Sequence, residues 1–352
     1  MAGRRIVVAG AGVVGASIAY HLGRRGAKGV VLADVETIAS GATGKALGGV
    51  RQQFSSAPEV RLARESVGFF RSLGPELFDP VGYLFLATSD EGLDELERRR
   101  ETQAALGVPV ERVDPSWVAG LAVDDVVGAV FCAEDGTADP AGITRELVRR
   151  AVELGVDLHE QTDALELDAD VLVLATGAAS ATLGAKLGVE LPVRPLVRQL
   201  VETAVVPGLP RDLPLTIESE SGFHFRRRGD ALVLAMPEPA LRWAEAQTVD
   251  EQLVEDWLLR LDRRYPPAAG ISVARSWAGL YDMTPDAHPI VGQVADGLYA
   301  ACGFSGHGFM QAPAVGRIVA DELLGEDPGF DLTPYRLERF ARGAVFPETA
   351  IL

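Results

Sequence analysis

Gly10, Gly12 and Gly15 form the run "GAGVVG", directly after the apolar stretch "RIVVA" and at the opening of the amphipathic stretch "ASIAYHLGRRGA". A second apolar run, "KGVVLAD", follows and ends on Asp34. Strand, glycine turn, helix and strand in this order make a βαβ unit, which commits the region to a parallel sheet. The spacing also carries chemistry. Gly10 permits the tight turn, and Gly12 lets a pyrophosphate approach the helix N-terminus, where the amides of Val13 and Val14 and the helix dipole favour an anion. Gly15 brings helix and strand close together. Asp34 stands at the distance from the glycines at which a carboxylate reaches a ribose hydroxyl. The expectation is a dinucleotide cradle.

At 352 residues the chain is long for one core, so two domains are expected. A formal net charge of −17 argues against a nucleic-acid binder or a protein of anionic membrane surfaces. Lysine occurs only at Lys28, Lys45 and Lys186, so nearly all positive charge is arginine. Cys132 and Cys302 are far apart, with no metal-binding spacing, and both sit in apolar runs; buried inert thiols and no metal site are expected. The N-terminus has a basic start and an apolar run, but its glycines fall at fixed offsets and no cleavage site follows, so it does not read as a signal peptide. No run is long and apolar enough for a membrane span. The reading is a cytoplasmic protein without membrane insertion.

Further along, "TIASGATGKALGGVRQQFSS" (37–56) is a long loop rich in small residues, a pattern usually tied to function. A helix is expected from Pro58 to Leu73. "GYLFLAT" and "GAVFCAED" read as strands flanking a solvated helix, and "DPAGITRELVRRAVELGV" as an amphipathic helix. "ADVLVLATG" is a buried parallel strand closing on Ala175, Thr176 and Gly177. From Leu191 to Ala278 strands alternate with one helix, as in an antiparallel α+β layer. After residue 290 the pattern returns to glycine turn, strand, glycine turn ("GFSGHGFMQAP") and helix. The expected fold is therefore α/β plus α+β. A discontinuous Rossmann-like domain covers 1–80, 137–190 and 290–352, and a second, antiparallel-sheet domain covers 81–136 and 191–289.

These segments together, "GAGVVGASIAYHLGRRG", "ASGATGKALGGVRQQFS", "GYLFLATSDE", "DGTADPAGI", "VLATGA", "RSWAGLYDMTPDAHPIVG" and "GFSGHGFMQAPAVGRIVADELLG", resemble the D-amino-acid oxidase superfamily of FAD-dependent oxidoreductases. The resemblance spans nearly the whole chain and is strongest to the branch of the sarcosine oxidase β-subunit and the dimethylglycine and proline dehydrogenases. It implies FAD in the cradle and a separate substrate-binding domain. It also implies oxidation of the C–N bond of a secondary or tertiary amino acid or related amine, such as sarcosine, dimethylglycine or proline. Hydride passes from the carbon next to nitrogen to flavin N5, giving an imine. Three other readings stand beside it: a glycine or D-amino-acid oxidase, a tailoring oxidase for a larger natural-product amine, and a non-catalytic flavoprotein assembly factor.

The resemblance also distributes roles. Ser40, Ala42, Thr43, Lys45, Gly48 and Gly49 belong to the flavin-facing loop, and Ala175, Thr176 and Gly177 lie beside the adenosine half. Gly303, Gly306, His307, Gly308, Phe309 and Met310 pass the pyrimidine edge, offering amides and a helix N-terminus to flavin N1 and O2, with Pro313 in that helix's first turn. Arg51 is the expected carboxylate anchor, since its planar fork matches a carboxylate. Tyr281 and His224 line the pocket, and Met236 is a flavin-facing position. Tyr281 stands where glycine and D-amino-acid oxidases commonly carry arginine, which favours the sarcosine and proline branch. Gly279 replaces the cysteine to which monomeric sarcosine oxidases attach their flavin, so FAD is expected to be non-covalent. Met310 replaces a lysine found near the flavin of oxidases, leaving Lys45 as the cation that could assist oxygen. The electron acceptor is therefore either oxygen or a partner protein. Homo- and hetero-oligomers both fit.

Overall fold

A computed structural model describes residues 4–348. Short, fully buried runs build its first sheet: Ile6–Ala9, Val30–Ala33 and Leu298–Cys302 have no exposed position. Strands buried on both faces need cover on both, and such runs assemble as parallel sheets between helices. Across the six-stranded sheet the order is Ile290–Ala295, Leu298–Cys302, Val171–Leu174, Ile6–Ala9, Val30–Ala33, Asp157–His159. All pairings are parallel except the hairpin of the first two strands. Helices Val13–Arg24, Pro140–Glu153 and Gly308–Leu323 accompany the sheet. Small residues let two of them approach: a Cβ on Gly316 would lie 2.2 Å from the Ser17 hydroxyl.

The second large sheet has eight strands, ordered Val273–Met283, Arg194–Thr203, Ala231–Ala235, His224–Arg228, Leu215–Glu218, Tyr83–Ala87, Gly128–Cys132, Val110–Val113. It is largely antiparallel, but Leu215–Glu218 runs parallel to Tyr83–Ala87, because these neighbours come from separate stretches of chain rather than from a hairpin. One face carries the core. Phe223, Phe225, Leu232 and Leu234 pack there with Val254, Trp257 and Leu261 of the helix Glu251–Arg264. Trp257 is 1% exposed, and burying a side chain of this size contributes on the order of 2–3 kcal/mol.

The chain divides into two compact units, Met1–Ala46, Asp139–Leu196 and Leu280–Ile351 in one, Leu47–Ala138 and Val197–Gly279 in the other. The expected domains differ from these units mainly over residues 47–80, which cluster with the second unit. The reason is a small sheet: Gly49–Val50 and Phe78–Asp79 both pair with Gly136–Ala138. Helix Ala57–Ser72, expected at Pro58–Leu73, lies in this same stretch.

Candidate cofactor and substrate sites

In the first unit the glycine turn, Ala175 and Gly303 all follow the carboxyl ends of neighbouring parallel strands, the edge at which open α/β sheets bind ligands. Gly10 has φ +104°, and a Cβ there would lie 2.4 Å from the Ala175 carbonyl oxygen. A Cβ on Gly15 would lie 1.9 Å from the Gly10 carbonyl. No other residue fits either position. Gly12 differs: its Cβ would meet only the Thr43 hydroxyl, at 3.2 Å. The glycine therefore clears space over the helix end rather than serving internal packing.

The helix beginning at Val13 has neither a side-chain cap nor an acidic residue in its first turn. Its ladder starts with Ala16 donating to Gly12. One amide assigned by sequence is engaged within the protein. Val13 N–H donates to the Thr43 hydroxyl at 3.1 Å, leaving Val14 and Gly15 as the amides outside the ladder. Asp34 accepts from Ala11 N–H at 2.6 Å and from Glu36 N–H at 2.9 Å, so it ties the glycine turn to the second strand. Each carboxylate oxygen retains a lone pair, which suits a ribose hydroxyl. An uncapped helix end beside a cleared space, with a carboxylate at the neighbouring strand end, fits an adenine dinucleotide such as FAD.

Around this cradle, Ser40 and Ala42 are exposed and Lys45 is half-buried at the end of the single turn Ala42–Lys45. The Thr176 hydroxyl meets that of Ser180 at 2.9 Å, and a Cβ on Gly177 would touch nothing. Glu160, which the sequence reading missed, accepts from Ile38 N–H at 2.7 Å and holds the loop's start.

The glycine-rich turn at 303–308 is shaped by its own neighbours. A Cβ on Gly303 would lie 2.4 Å from the Thr284 methyl, and one on Gly306 would lie 2.3 Å from the Tyr281 ring. Asp282, also missed, accepts from Gly303 N–H at 2.7 Å, while its carbonyl accepts from Ser305 N–H at 3.2 Å. Burial pushes the Asp282 carboxyl up, against the pull of the Phe304 and Gly303 amides. Two expectations change here. His307 N–H was assigned to the flavin, but it donates to Phe304 O at 2.9 Å, closing the turn. Pro313 lies inside the helix Gly308–Leu323, beyond the first turn. The amides outside the helix ladder are those of Gly308, Phe309 and Met310, since Gln311 donates first, to His307.

In the second unit, strand His224–Arg228 turns His224, Arg226 and Arg228 to one face and Phe223, Phe225 and Arg227 to the other. His224, Arg226 and Arg228 sit opposite Ala235, Val233 and Ala231, away from the apolar core. His224 is buried, and its Nδ1 lies 2.7 Å from the Gly222 carbonyl. A carbonyl only accepts, so Nδ1 carries the proton and Nε2 keeps its lone pair. Burial lowers the His224 pKa to about 4; the Gly222 bond opposes this and the charge of Arg51 adds to it. The ring is neutral at physiological pH.

Arg51 departs from its expected posture. It is 1% exposed, donates to the Gln53 carbonyl, and lies 4.2 Å over the Phe54 ring and 5.9 Å from that of Phe85. A guanidinium turned into the interior does not present an open fork to a carboxylate. Met236 also differs, packing against the helix-covered core rather than on the His224 face. Gly48 has φ +86°, and a Cβ on Gly49 would strike the Tyr83 hydroxyl, so these glycines serve the fold of this unit. Cys132 and Cys302 are both buried, and burial pushes the Cys302 thiol up to about 12. Among the described residues no group of three or more His, Cys, Asp or Glu could hold a metal, and no helix is long and apolar enough to cross a membrane.

Comparison with known proteins agrees with this geometry. A family model described as DAO, FAD dependent oxidoreductase, matches residues 5–322. FAD-dependent oxidoreductase domain-containing protein 1 of Xenopus laevis is 28% identical, over 95% of this chain and 82% of its own length. The 4-methylaminobutanoate oxidase (formaldehyde-forming) of Paenarthrobacter nicotinovorans is 26% identical over 96% of this chain, which spans 46% of that protein. The structure resembles L-proline dehydrogenase from P. horikoshii, with a TM-score of 0.91 and 28% identity over 97% of this chain and 99% of that one. Glycine oxidase from Geobacillus kaustophilus follows, with a TM-score of 0.85 and 25% identity over 96% and 99%. The cradle's glycines, the uncapped helix end and this match over most of the length agree: the chain belongs to the family of FAD-dependent oxidoreductases that act on amines and amino acids.

Proposed function

We propose that this enzyme oxidises the C–N bond of a secondary or tertiary amino acid or a closely related amine, with FAD held non-covalently. When bound, FAD supplies the two-electron acceptor for the carbon next to nitrogen, and the resulting imine is open to hydrolysis. The observation that carries the reading is the polar face of strand His224–Arg228, where a neutral imidazole stands in line with Arg226 and Arg228. Where the substrate nitrogen is secondary, His224 Nε2 accepts its N–H, which steers the nitrogen, and the guanidinium groups of this face meet the substrate carboxylate. Burial keeps His224 neutral, and the positive charge that Arg51 contributes to that face adds to this.

The other residues complete the arrangement. Tyr281 packs the turn whose helix directs the amides of Gly308, Phe309 and Met310 at the flavin edge that becomes negative on reduction. His307 stands at the start of this helix, its carbonyl accepting the first helical N–H, from Gln311, and Lys45 supplies the cation for an oxygen acceptor. A secondary or tertiary nitrogen is supported by Tyr281 in place of arginine and by the likeness to relatives named for proline and 4-methylaminobutanoate. Likeness to glycine oxidase favours a second reading, a primary amino acid.

Anaerobic mixing of holoenzyme with proline, N-methyl amino acids, glycine, D-amino acids and simple amines separates the two, read as loss of flavin absorbance. Fast bleaching by proline or N-methyl amino acids is expected. Bleaching confined to glycine or D-amino acids would replace the first reading with the second.

A further inference from the structure

Where the pairing of Gly49–Val50 with Gly136–Thr137 ends, a side chain takes over from the backbone. Asp135 precedes this partner strand and is fully buried. Its Oδ1 accepts from Gln52 N–H at 2.9 Å and from Gln52 Nε2 at 3.2 Å; its Oδ2 accepts from Gln53 Nε2 at 3.1 Å. Its own carbonyl accepts from Gly82 N–H at 2.8 Å, which ties it to the start of the strand Tyr83–Ala87.

The donor set gives these bonds direction. Gln53 is buried, and its Nε2 also donates to the Tyr83 carbonyl at 3.3 Å, while its Oε1 has no hydrogen-bond partner. The amide is therefore oriented by its two acceptors alone. The Gln53 main-chain carbonyl in turn receives the Arg51 guanidinium. A chain of contacts thus runs from one buried carboxylate through Gln53 to Arg51, whose charge acts on His224, while Gln52 braces the carboxylate beside it. A buried charge is costly unless hydrogen-bonded, and the three glutamine donors offset part of the cost of placing it here. Burial pushes the Asp135 carboxyl up to about 6, and the Gln53 and Gln52 donors pull against it, so it is ionised at pH 8 and accepts from all three.

We propose that Asp135 is a positioning residue for the substrate site: through Gln52 and Gln53 it sets where the Arg51 guanidinium lies, and so how tightly the enzyme binds a carboxylate-bearing substrate. The proposal rests on the reading above, in which Arg51 supplies charge to the His224 face. Neither Asp135 nor the glutamines touch substrate.

The test compares holoenzyme forms of wild type, Asp135→Asn, Gln53→Ala, the double variant and Arg51→Met at pH 8. Each is titrated with benzoate, a carboxylate that cannot be oxidised here, and read by the shift it causes in the flavin spectrum. Flavin content and thermal midpoint are measured alongside. Asp135→Asn keeps the size but sets an amide against donors, so benzoate affinity falls about tenfold, KM rises more than kcat falls, and flavin content is retained. Gln53→Ala gives a similar loss, and the double variant adds little to either, as expected for residues acting in one chain of contacts. If Asp135→Asn does not fold, Gln53→Ala alone carries the comparison. A loss in Arg51→Met with the other three variants within twofold of wild type would overturn the role of Asp135 and leave the reading of the site intact. No loss even in Arg51→Met would remove Arg51 from the site, and the proposal with it.

Discussion

The ring of Tyr281 occupies the place where a side chain on Gly306 would begin: a Cβ there would lie 2.3 Å from Cε2 and 2.7 Å from Cζ. Gly306 also has φ +94°, a conformation that L side chains rarely adopt. Gly306→Ala therefore combines backbone strain of about 1–3 kcal/mol with a clash against a ring. The expected outcome is a thermal midpoint lower by several degrees and loss of flavin on gel filtration. Adding Tyr281→Ala relieves the clash but not the strain, so it restores the midpoint only in part. An unchanged midpoint in Gly306→Ala would show that the turn yields easily.

Asp34 bridges Ala11 and Glu36 amides at the strand end where the cradle is built. Asp34→Ala removes a charged acceptor, a type of bond worth roughly 1.5–3 kcal/mol. FAD affinity should fall about tenfold or more, measured by titrating apoprotein with FAD and following flavin fluorescence. Equal affinity in variant and wild type would confine Asp34 to holding the turn.

Two buried histidines contribute to the acid limb of stability, beside ion-paired carboxylates such as Glu146 and Asp286. His21 is lowered to about 3, by burial first and then by Arg24, Arg317 and Arg25, and His224 to about 4. A histidine whose folded pKa lies below its unfolded value of about 6.5 binds its proton more readily when unfolded. Its contribution is whole above about pH 6.5 and is lost as pH falls towards 4. Asp135, raised to about 6, works in the opposite sense over the same window, but two histidine shifts outweigh one. His21→Asn should lower the midpoint of acid unfolding by about half a pH unit, followed by circular dichroism. A midpoint that stays in place would assign the acid limb to other groups.

Gly279 offers no sulfur for a flavin bond, and Cys132 and Cys302 are buried. Acid precipitation of the holoenzyme should leave all yellow colour in the supernatant. Colour retained in the pellet would mean a covalent link.

The oxygen reaction depends on a cation near the reduced flavin, and the chain has Met310 where oxidases of this family place lysine. Reoxidation of reduced enzyme by oxygen, followed by stopped flow, should be slow. Lys45→Met should slow it further. Fast reoxidation unaffected by Lys45→Met would defeat the argument.

Much of the first unit was legible because its requirements are local. The glycine spacing dictates a turn at Gly10 and a helix end at Gly12, and short apolar runs such as "IVVA" and "VVLA" on either side of it suit inner parallel strands. The turn at 303–308 was legible as crowded, but its cause was only half visible. Tyr281 and Thr284 approach it from 19 or more residues away, so the glycines serve packing as well as a ligand. That number of intervening residues hides the contact from any reading of nearby spacing.

Reading along the chain also placed Arg51 correctly in the loop but could not say which way its guanidinium points. That depends on Gln53, Phe54 and Phe85, and through Gln52 and Gln53 on Asp135, 83 and 82 positions further along. Met236 shows the same limit, since its face is set by the register of Ala231–Ala235 against His224–Arg228. By itself, then, the sequence determined the cradle, the cofactor class and the alternation of strand and helix, because backbone conformation and periodicity are properties of neighbours. Only the tertiary structure decided which polar groups are buried together, which charge faces which ring, and how residues 47–80 are allotted. Those depend on strand pairing and desolvation between segments that the chain brings together only when folded.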